Sequence, residues 1–372
     1  MSDPDRRAAM AALVREALRP LQAYSVPRPP AVRAKLDANE LPFELPGDVA
    51  AALGAELGEV PLNRYPAADC AALRACIAGQ LGVPGDTLCF GNGSDELIAM
   101  ILSTFSEPRP GRARAVAMYP GPTFSVYGLA SVWAGVDPLE VPLTDRFELD
   151  GAAFEAAVER ERPNVVFFAR PNNPTGTLWS RHAVLRIAEL FPDVLVVHDE
   201  AYGDYGGDSM VDQVPHLANL VVLRTLSKVG LAALRIGYLY ADPAIVHEVD
   251  KLRPPYNIGA LNQRAAVWLL ENHADLLRDR CSEIVAARER LHAALSEMRG
   301  VEPFESRANL ILFRVGEPGD GRATQVWRAL ASRGVLVRNL DAPGPLAGCL
   351  RLTVGTADEN DLFLATLAEV MQ

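Results

Sequence analysis

Apolar residues along this chain follow two rhythms, and the rhythms alternate. Short runs at 115–119 (AVAMY), 164–169 (NVVFFA), 194–198 (VLVVH), 220–224 (LVVLR) and 236–240 (IGYLY) are rich in β-branched and aromatic residues. Runs of that length predict buried strands. Between and around them, 95–105, 151–161 and 180–191 carry apolar positions at helical spacing. Strands alternating with helices predict an α/β fold with a largely parallel sheet covered on both faces. Upstream, 5–19 predicts a short helix with apolar positions that include Ala8, Leu13 and Leu18, and Pro27, Pro29 and Pro30 then break the pattern into an extended arm. Amphipathic helices are expected at 48–58 and 69–81, around the irregular PLNRYP. A long helical pattern at 261–299 bridges to a second unit, 300–372. There ANLILFRV, VLVRNL and CLRLTVGT are strand-like, and helices are expected near 322–333 and 358–371. That order is α+β. No internal repeat is visible.

Composition changes this picture little. With 372 residues, 49% hydrophobic and 22% charged, the chain has the balance of an ordinary globular protein of two domains. A net charge of −11 argues against nucleic acid or an anionic membrane as a partner. No stretch reaches the roughly 18 apolar residues of a membrane span, and MSDPDRRAAMAALVREAL lacks the apolar centre of a secretory signal. A cytoplasmic setting is therefore expected. Five cysteines without paired close spacing predict buried thiols and no metal site. Only Lys35, Lys228 and Lys251 among the 36 basic residues are lysines. Arginine fills nearly every place where any cation serves. A retained lysine is thus a candidate for chemistry that guanidinium cannot perform.

Four clusters sit where an α/β sheet builds its site, near the carboxyl ends of strands. Gly91-Asn92-Gly93-Ser94-Asp95-Glu96 enters a helix, where bare N–H groups suit an anion and Ser94 or Asp95 can cap. By itself it is an ordinary capped turn. Arg170-Pro171-Asn172-Asn173-Pro174-Thr175-Gly176 is either a tight Asx-Pro turn or a rigid mount for the Asn173 amide. His198-Asp199-Glu200-Ala201-Tyr202 places carboxylates at the end of a buried strand, as a structural ion pair or as part of a site. Thr225-Leu226-Ser227-Lys228 sets a lysine among hydroxyls and apolar residues, with Arg235 seven residues on.

The order of these clusters resembles that of the fold-type I aminotransferases, which use pyridoxal phosphate. The finer spelling is similar to the histidinol-phosphate aminotransferase family: LDANE at 36–40, LNRYP at 62–66, GNGSDE, PTFSVY at 122–127, RPNNPTG, RTLSK, RPPYN at 253–257, and RNL followed by CLRLTVGT. The resemblance runs over roughly 20–372. It implies a large domain, 45–260, with a mostly parallel seven-stranded sheet sandwiched by helices. A smaller α+β domain (31–44 and 261–372) and an N-terminal helix and arm (1–30) complete it. It implies that Lys228 holds the cofactor covalently and moves the substrate proton, and that Asp199 pairs with the ring nitrogen. Tyr202 and Asn173 would meet the phenolic oxygen and Phe124 the ring face. Gly93, Ser94, Asp95, Thr225, Ser227 and Arg235 would cradle the phosphate, joined by Tyr65 from the second subunit of a homodimer. Arg338 and Arg351 would bind the substrate's anionic end, with Tyr24 and Asn39 covering the pocket and Tyr256 a lesser candidate. The expected reaction is amino transfer between histidinol phosphate and 2-oxoglutarate, in histidine biosynthesis.

Two departures stand out. The interval from Lys228 to Arg235 is one residue shorter than the commonest family spelling, and Leu-Pro follows Asn39-Glu40 where Asn-Pro or Tyr-Pro is usual. The rival readings are an aromatic or other amino-acid aminotransferase, a phosphothreonine decarboxylase, and a non-catalytic cofactor-binding sensor. The last would normally carry a DNA-binding module, and the sequence offers no basic patch for one.

Overall fold

The structure is a computed structural model that describes residues 3–22 and 31–372. The chain opens with α1 (Asp3–Ala12), β1 (Ala34–Leu36), α2 (Gly47–Gly58) and α3 (Ala71–Leu81). Its middle alternates: β2 (Leu88–Asn92), α4 (Ser94–Thr104), β3 (Val116–Gly121), α5 (Val126–Ala134), β4 (Asp137–Pro142), α6 (Gly151–Glu161), β5 (Val165–Ala169) and α7 (Arg181–Leu190). Then come β6 (Leu195–Asp199), the single turn α8 (Gly203–Gly206), β7 (Leu220–Thr225) and β8 (Ile236–Tyr240). Helices α9 (Pro243–Asp250), α10 (Ala260–Asn272) and α11 (Ala274–Ser296) lead on to β9 (Val301–Pro303) and β10 (Leu310–Val315). The chain finishes with α12 (Arg322–Ser332), β11 (Val335–Asn339), β12 (Cys349–Thr353) and α13 (Ala357–Met371).

Seven strands form one sheet in the order β2-β8-β7-β6-β5-β3-β4. It is parallel except at β8, which runs antiparallel to both neighbours. Strands β5 and β6 are buried at every position because helices cover both faces. Alternate side chains go to different layers: Phe168 packs with Phe154 of α6, whereas Phe167 stacks on Tyr127 of α5. A five-stranded sheet, β1-β11-β12-β10-β9, holds the C-terminal strands, and β1 joins it in parallel with β11. Among the described residues, no helix is long and apolar enough to cross a membrane.

Four differences from the sequence reading have local causes. The pattern at 261–299 is two helices, broken at His273, where the Asn272 side chain takes the Trp268 carbonyl and competes with the helix. Strand β4 escaped the pattern because it is an exposed edge bounded by Pro138 and Pro142. Helix α5 was hidden by Gly128, which is glycine because a Cβ there would lie 2.7 Å from the Tyr119 hydroxyl. Neither Ser94 nor Asp95 caps α4. Gly93 occupies the cap, at φ 81, and the Glu96 carboxylate accepts instead from the Asn92 N–H at 2.6 Å.

Candidate active site

The carboxyl ends of β5, β6 and β7 stand level, with Ala169 paired to Asp199 and Asp199 to Leu223. Above them is a cavity of about 400 Å³, whose wall on the other side comes from the five-stranded sheet. At one end the cavity meets the bare N-terminus of α4. A Cβ on Gly93 would stand 2.5 Å from the Arg235 guanidinium, and one on Gly237 2.5 Å from the Ser94 nitrogen. Glycine at both positions lets strand, helix terminus and arginine close to contact distance. Arg235 lies 3.4 Å from Ser227 Oγ and 3.4 Å from Asp95 Oδ2, and the Ser227 N–H donates to Thr225 Oγ1 at 3.1 Å. The short Lys228–Arg235 interval is accommodated by Gly230 at φ 99 and Arg235 at φ 52. N–H groups, hydroxyls and one guanidinium thus converge as in an anion cradle.

Asp199 and Glu200 diverge. The Asp199 carboxylate accepts from the Tyr127 hydroxyl at 2.7 Å and from the Ala201 N–H at 2.9 Å. Burial nevertheless pushes it up to about 6. It lines the cavity. Glu200 points to the rear, where Arg224, Ser209, the Met210 N–H and His198 surround it. Burial opposes its charge, yet His198 and Arg224 hold it down to about 2. The ion pair foreseen for this cluster exists, and Glu200 alone makes it. Tyr127, which the sequence reading gave no role, is the missed functional residue. Its only signal was its place in PTFSVY.

Lys35 and Lys251 pair with carboxylates on the surface. The third lysine, Lys228, enters the cavity with Nζ 5.7 Å from the centre of the Tyr202 ring. Its backbone is anchored by the Tyr205 hydroxyl, which donates to the Lys228 carbonyl. Phe124 lines the same cavity and meets Tyr127 edge-on at 5.7 Å. Tyr202 accepts from Asn39 Nδ2 at 2.8 Å.

From the other sheet come Arg338 and Arg351, directly opposite each other on β11 and β12. Both line the cavity. Arg351 donates to Asn173 Oδ1 at 2.7 Å and to the Asp37 carbonyl at 2.9 Å. That contact leaves the Asn173 amide nitrogen as the atom able to donate elsewhere. Among the described residues, Tyr65 and Tyr256 do not enter the cavity. Tyr65 is 80% exposed and stacks on Tyr256 with ring centres 4.5 Å apart. Tyr24 lies outside the described residues.

The model of the aminotransferase class I and II family matches residues 33–367. The chain belongs to that family. Among curated proteins, this aminotransferase is 41% identical over 366 residues to the histidinol-phosphate aminotransferase of Methylibium petroleiphilum, covering 97% of this chain and 95% of the relative. The enzyme of the same name from Acidovorax sp. is 41% identical over 376 residues, covering 99% of each chain. A solved structure of histidinol-phosphate aminotransferase from Sinorhizobium meliloti, in complex with pyridoxal-5'-phosphate, superposes with a TM-score of 0.85. It is 24% identical, covers 97% of this aminotransferase and 98% of that chain, and establishes the shared fold.

Proposed function

We propose that this aminotransferase moves the amino group of L-histidinol phosphate to 2-oxoglutarate, giving imidazole-acetol phosphate and L-glutamate, with pyridoxal phosphate as cofactor, in histidine biosynthesis. The observation that carries the reading is the Arg338–Arg351 pair. The two stand directly opposite on neighbouring strands and both line the cavity, so two guanidiniums flank the space where a substrate's anionic end would lie. One substrate offers a phosphate there and the other a carboxylate, and planar guanidinium forks take both.

The residues present fit the cofactor. The cradle at Gly93, Ser94, Asp95, Thr225, Ser227 and Arg235 suits its phosphate, and a buried carboxylate raised to about 6 gains from a cationic ring nitrogen. When bound, pyridoxal phosphate supplies an electron sink for the substrate's amino-bearing carbon. Lys228 would hold the cofactor through Nζ and would take and return the proton at that carbon. Asp199 keeps a proton on the ring nitrogen by pairing with it. Asn173 and Tyr202 donate to the ring's phenolic oxygen, and Phe124 covers the ring face. Asn39 covers the substrate end, a role the sequence resemblance also expects of Tyr24.

The proposal includes a homodimer in which Tyr65 reaches the phosphate in the partner's cavity. Its exposure in a single chain leaves it free to make such a contact. Mixing inactive Lys228→Ala with inactive Tyr65→Ala chains should then restore activity in mixed dimers. We assign 45–260 to a large cofactor-binding domain, 31–44 with 261–372 to a small domain, and 1–30 to an arm, in a cytoplasmic enzyme. A donor panel of histidinol phosphate, phenylalanine, tyrosine and threonine phosphate tests the reaction, with histidinol phosphate expected to have the highest kcat/KM. Faster turnover of the unphosphorylated aromatic donors would replace the reading with a general aminotransferase.

A further inference from the structure

Asn39 follows β1 on the small-sheet side of the cavity, 2% exposed and in the left-handed region at φ 54. Asparagine tolerates that region better than most residues. Its carbonyl accepts from Asn309 Nδ2 at 3.1 Å, and its N–H donates to Thr353 Oγ1 at 2.9 Å. Thr353 Oγ1 also lies 3.1 Å from the Asn39 side chain. A threonine hydroxyl has one proton. Because this one already accepts from a backbone N–H, its proton goes to the side-chain atom, which must be the acceptor Oδ1. The amide nitrogen is then turned to Tyr202, whose hydroxyl it meets at 2.8 Å. Tyr202 Oη therefore accepts from Asn39, and its own proton is left to be donated into the cavity that Tyr202 lines.

We infer that Thr353, with Asn309, is a positioning residue that fixes the polarity of the Tyr202 hydroxyl through Asn39, so that Tyr202 donates to the cofactor's phenolic oxygen. This rests on the proposal that pyridoxal phosphate occupies the cavity. Without the Thr353 hydroxyl nothing orients the Asn39 amide. It can then turn Oδ1 to Tyr202 and draw the phenol proton away from the cavity. A donor on the phenolic oxygen withdraws negative charge from it, so the neighbouring nitrogen that joins Lys228 to the cofactor holds its proton less tightly. Losing the donor raises the pH at which that proton leaves. Asp199, Asp95, Tyr127 and Lys228 from the large sheet, and Asp37 and Arg351 from the small one, face the same cavity, and Tyr205 lies behind Tyr202. Replacing Thr353 alters none of them.

The test is a pH titration of the visible band of purified holoenzyme, read without turnover. Thr353→Val should raise the midpoint by about half to one pH unit, the equivalent of one hydrogen bond. Thr353→Ser, which keeps the hydroxyl, should return it to the wild-type value. In a Tyr202→Phe background, Thr353→Val should add no further shift. If the valine variant does not fold, Thr353→Ala removes the same hydroxyl without setting a carbon in its place. A wild-type midpoint in the folded Thr353 variants, or an equal shift with Tyr202 absent, overturns the inference. A wild-type chain that takes up no pyridoxal phosphate would overturn the function proposal, and this one with it.

Discussion

Asp199 and Glu200 are consecutive, both end a buried strand, and they are 3% and 2% exposed. Burial acts on both in the same direction, raising the carboxyl pKa. The outcomes differ because the partners differ. In front of the sheet, Asp199 has a phenol and one backbone N–H, both neutral donors, and rises to about 6. Behind it, Glu200 has the Arg224 guanidinium with Ser209, Met210 and His198, and falls to about 2. Neutral hydrogen bonds ease the loss of water but do not replace a counter-charge. The rear carboxylate is complete within the chain. The front one lines the cavity together with Lys228, Arg338 and Arg351, and the proposed function supplies its counter-charge from the cofactor.

The strongest way to break this comparison is to remove the front lysine. Lys228→Ala should lower amino transfer by about 10⁴-fold or more while the fold survives, and Lys228→Arg should give no rescue. Near wild-type turnover in either variant would falsify the role of Lys228. Next, the two carboxylates should fail in different ways. Glu200→Ala takes from half-buried Arg224 the carboxylate it bonds, leaving only the more distant Asp204, and should cost about 3 kcal/mol in denaturant unfolding. Asp199→Ala should cost the cofactor-free protein far less and abolish most activity. Their pH signatures have opposite signs. Glu200, depressed, contributes stability above pH 4.5 that is lost as the pH falls toward about 2. Asp199, raised, contributes in the cofactor-free protein below pH 3.8 and is lost as the pH rises through about 6. Unfolding curves of the two variants against wild type between pH 3 and 7 would show both trends.

Smaller effects sharpen the front side. Arg351→Ala should cost roughly ten- to a hundred-fold in kcat/KM, equally for histidinol phosphate and glutamate, with the cofactor still bound. Arg338→Ala should cost less, because Arg351 also holds Asn173. A loss confined to one substrate would show that the pair does not serve both anions.

The sequence carried this far for a physical reason. Strands buried on both faces must be apolar throughout, so β5, β6 and β7 show themselves, and the cavity residues at their ends follow from them. Lys228 was visible through the scarcity of lysine. Contacts between distant segments were not visible. The Arg338–Arg351 opposition exists only once β11 and β12 pair, and Asn39 reaches Thr353 across 314 positions. The choice of Asp199 over Glu200 came from the family resemblance and not from the periodic pattern, since neighbours on a strand face opposite ways and only the packing says which face is the site. Edge strand β4 and the break at His273 were lost because edges and helix ends are decided by side-chain contacts that a periodic pattern does not contain.

The smallest effect expected is also the one that isolates the neutral donors. Tyr127 is fully buried, stacked on Phe167 at 4.7 Å between ring centres, and 72 residues from the carboxylate it holds. Tyr127→Phe keeps that ring packing and removes only the hydroxyl. Asp199 then retains one of its two hydrogen bonds, and its carboxyl moves further above its ordinary value, because burial is less opposed. In the proposed site the cofactor's ring nitrogen would still supply the main counter-charge, so kcat/KM should fall only about tenfold, the size of one hydrogen bond to a charged group. The direction in pH is the sharper test. Activity needs Asp199 ionised, so a raised pKa moves the acidic limb of the pH–rate profile to higher pH and leaves the alkaline limb in place. An unmoved acidic limb would mean that the Tyr127 hydroxyl only fills space, and that the front carboxylate is tuned by burial and the cofactor alone.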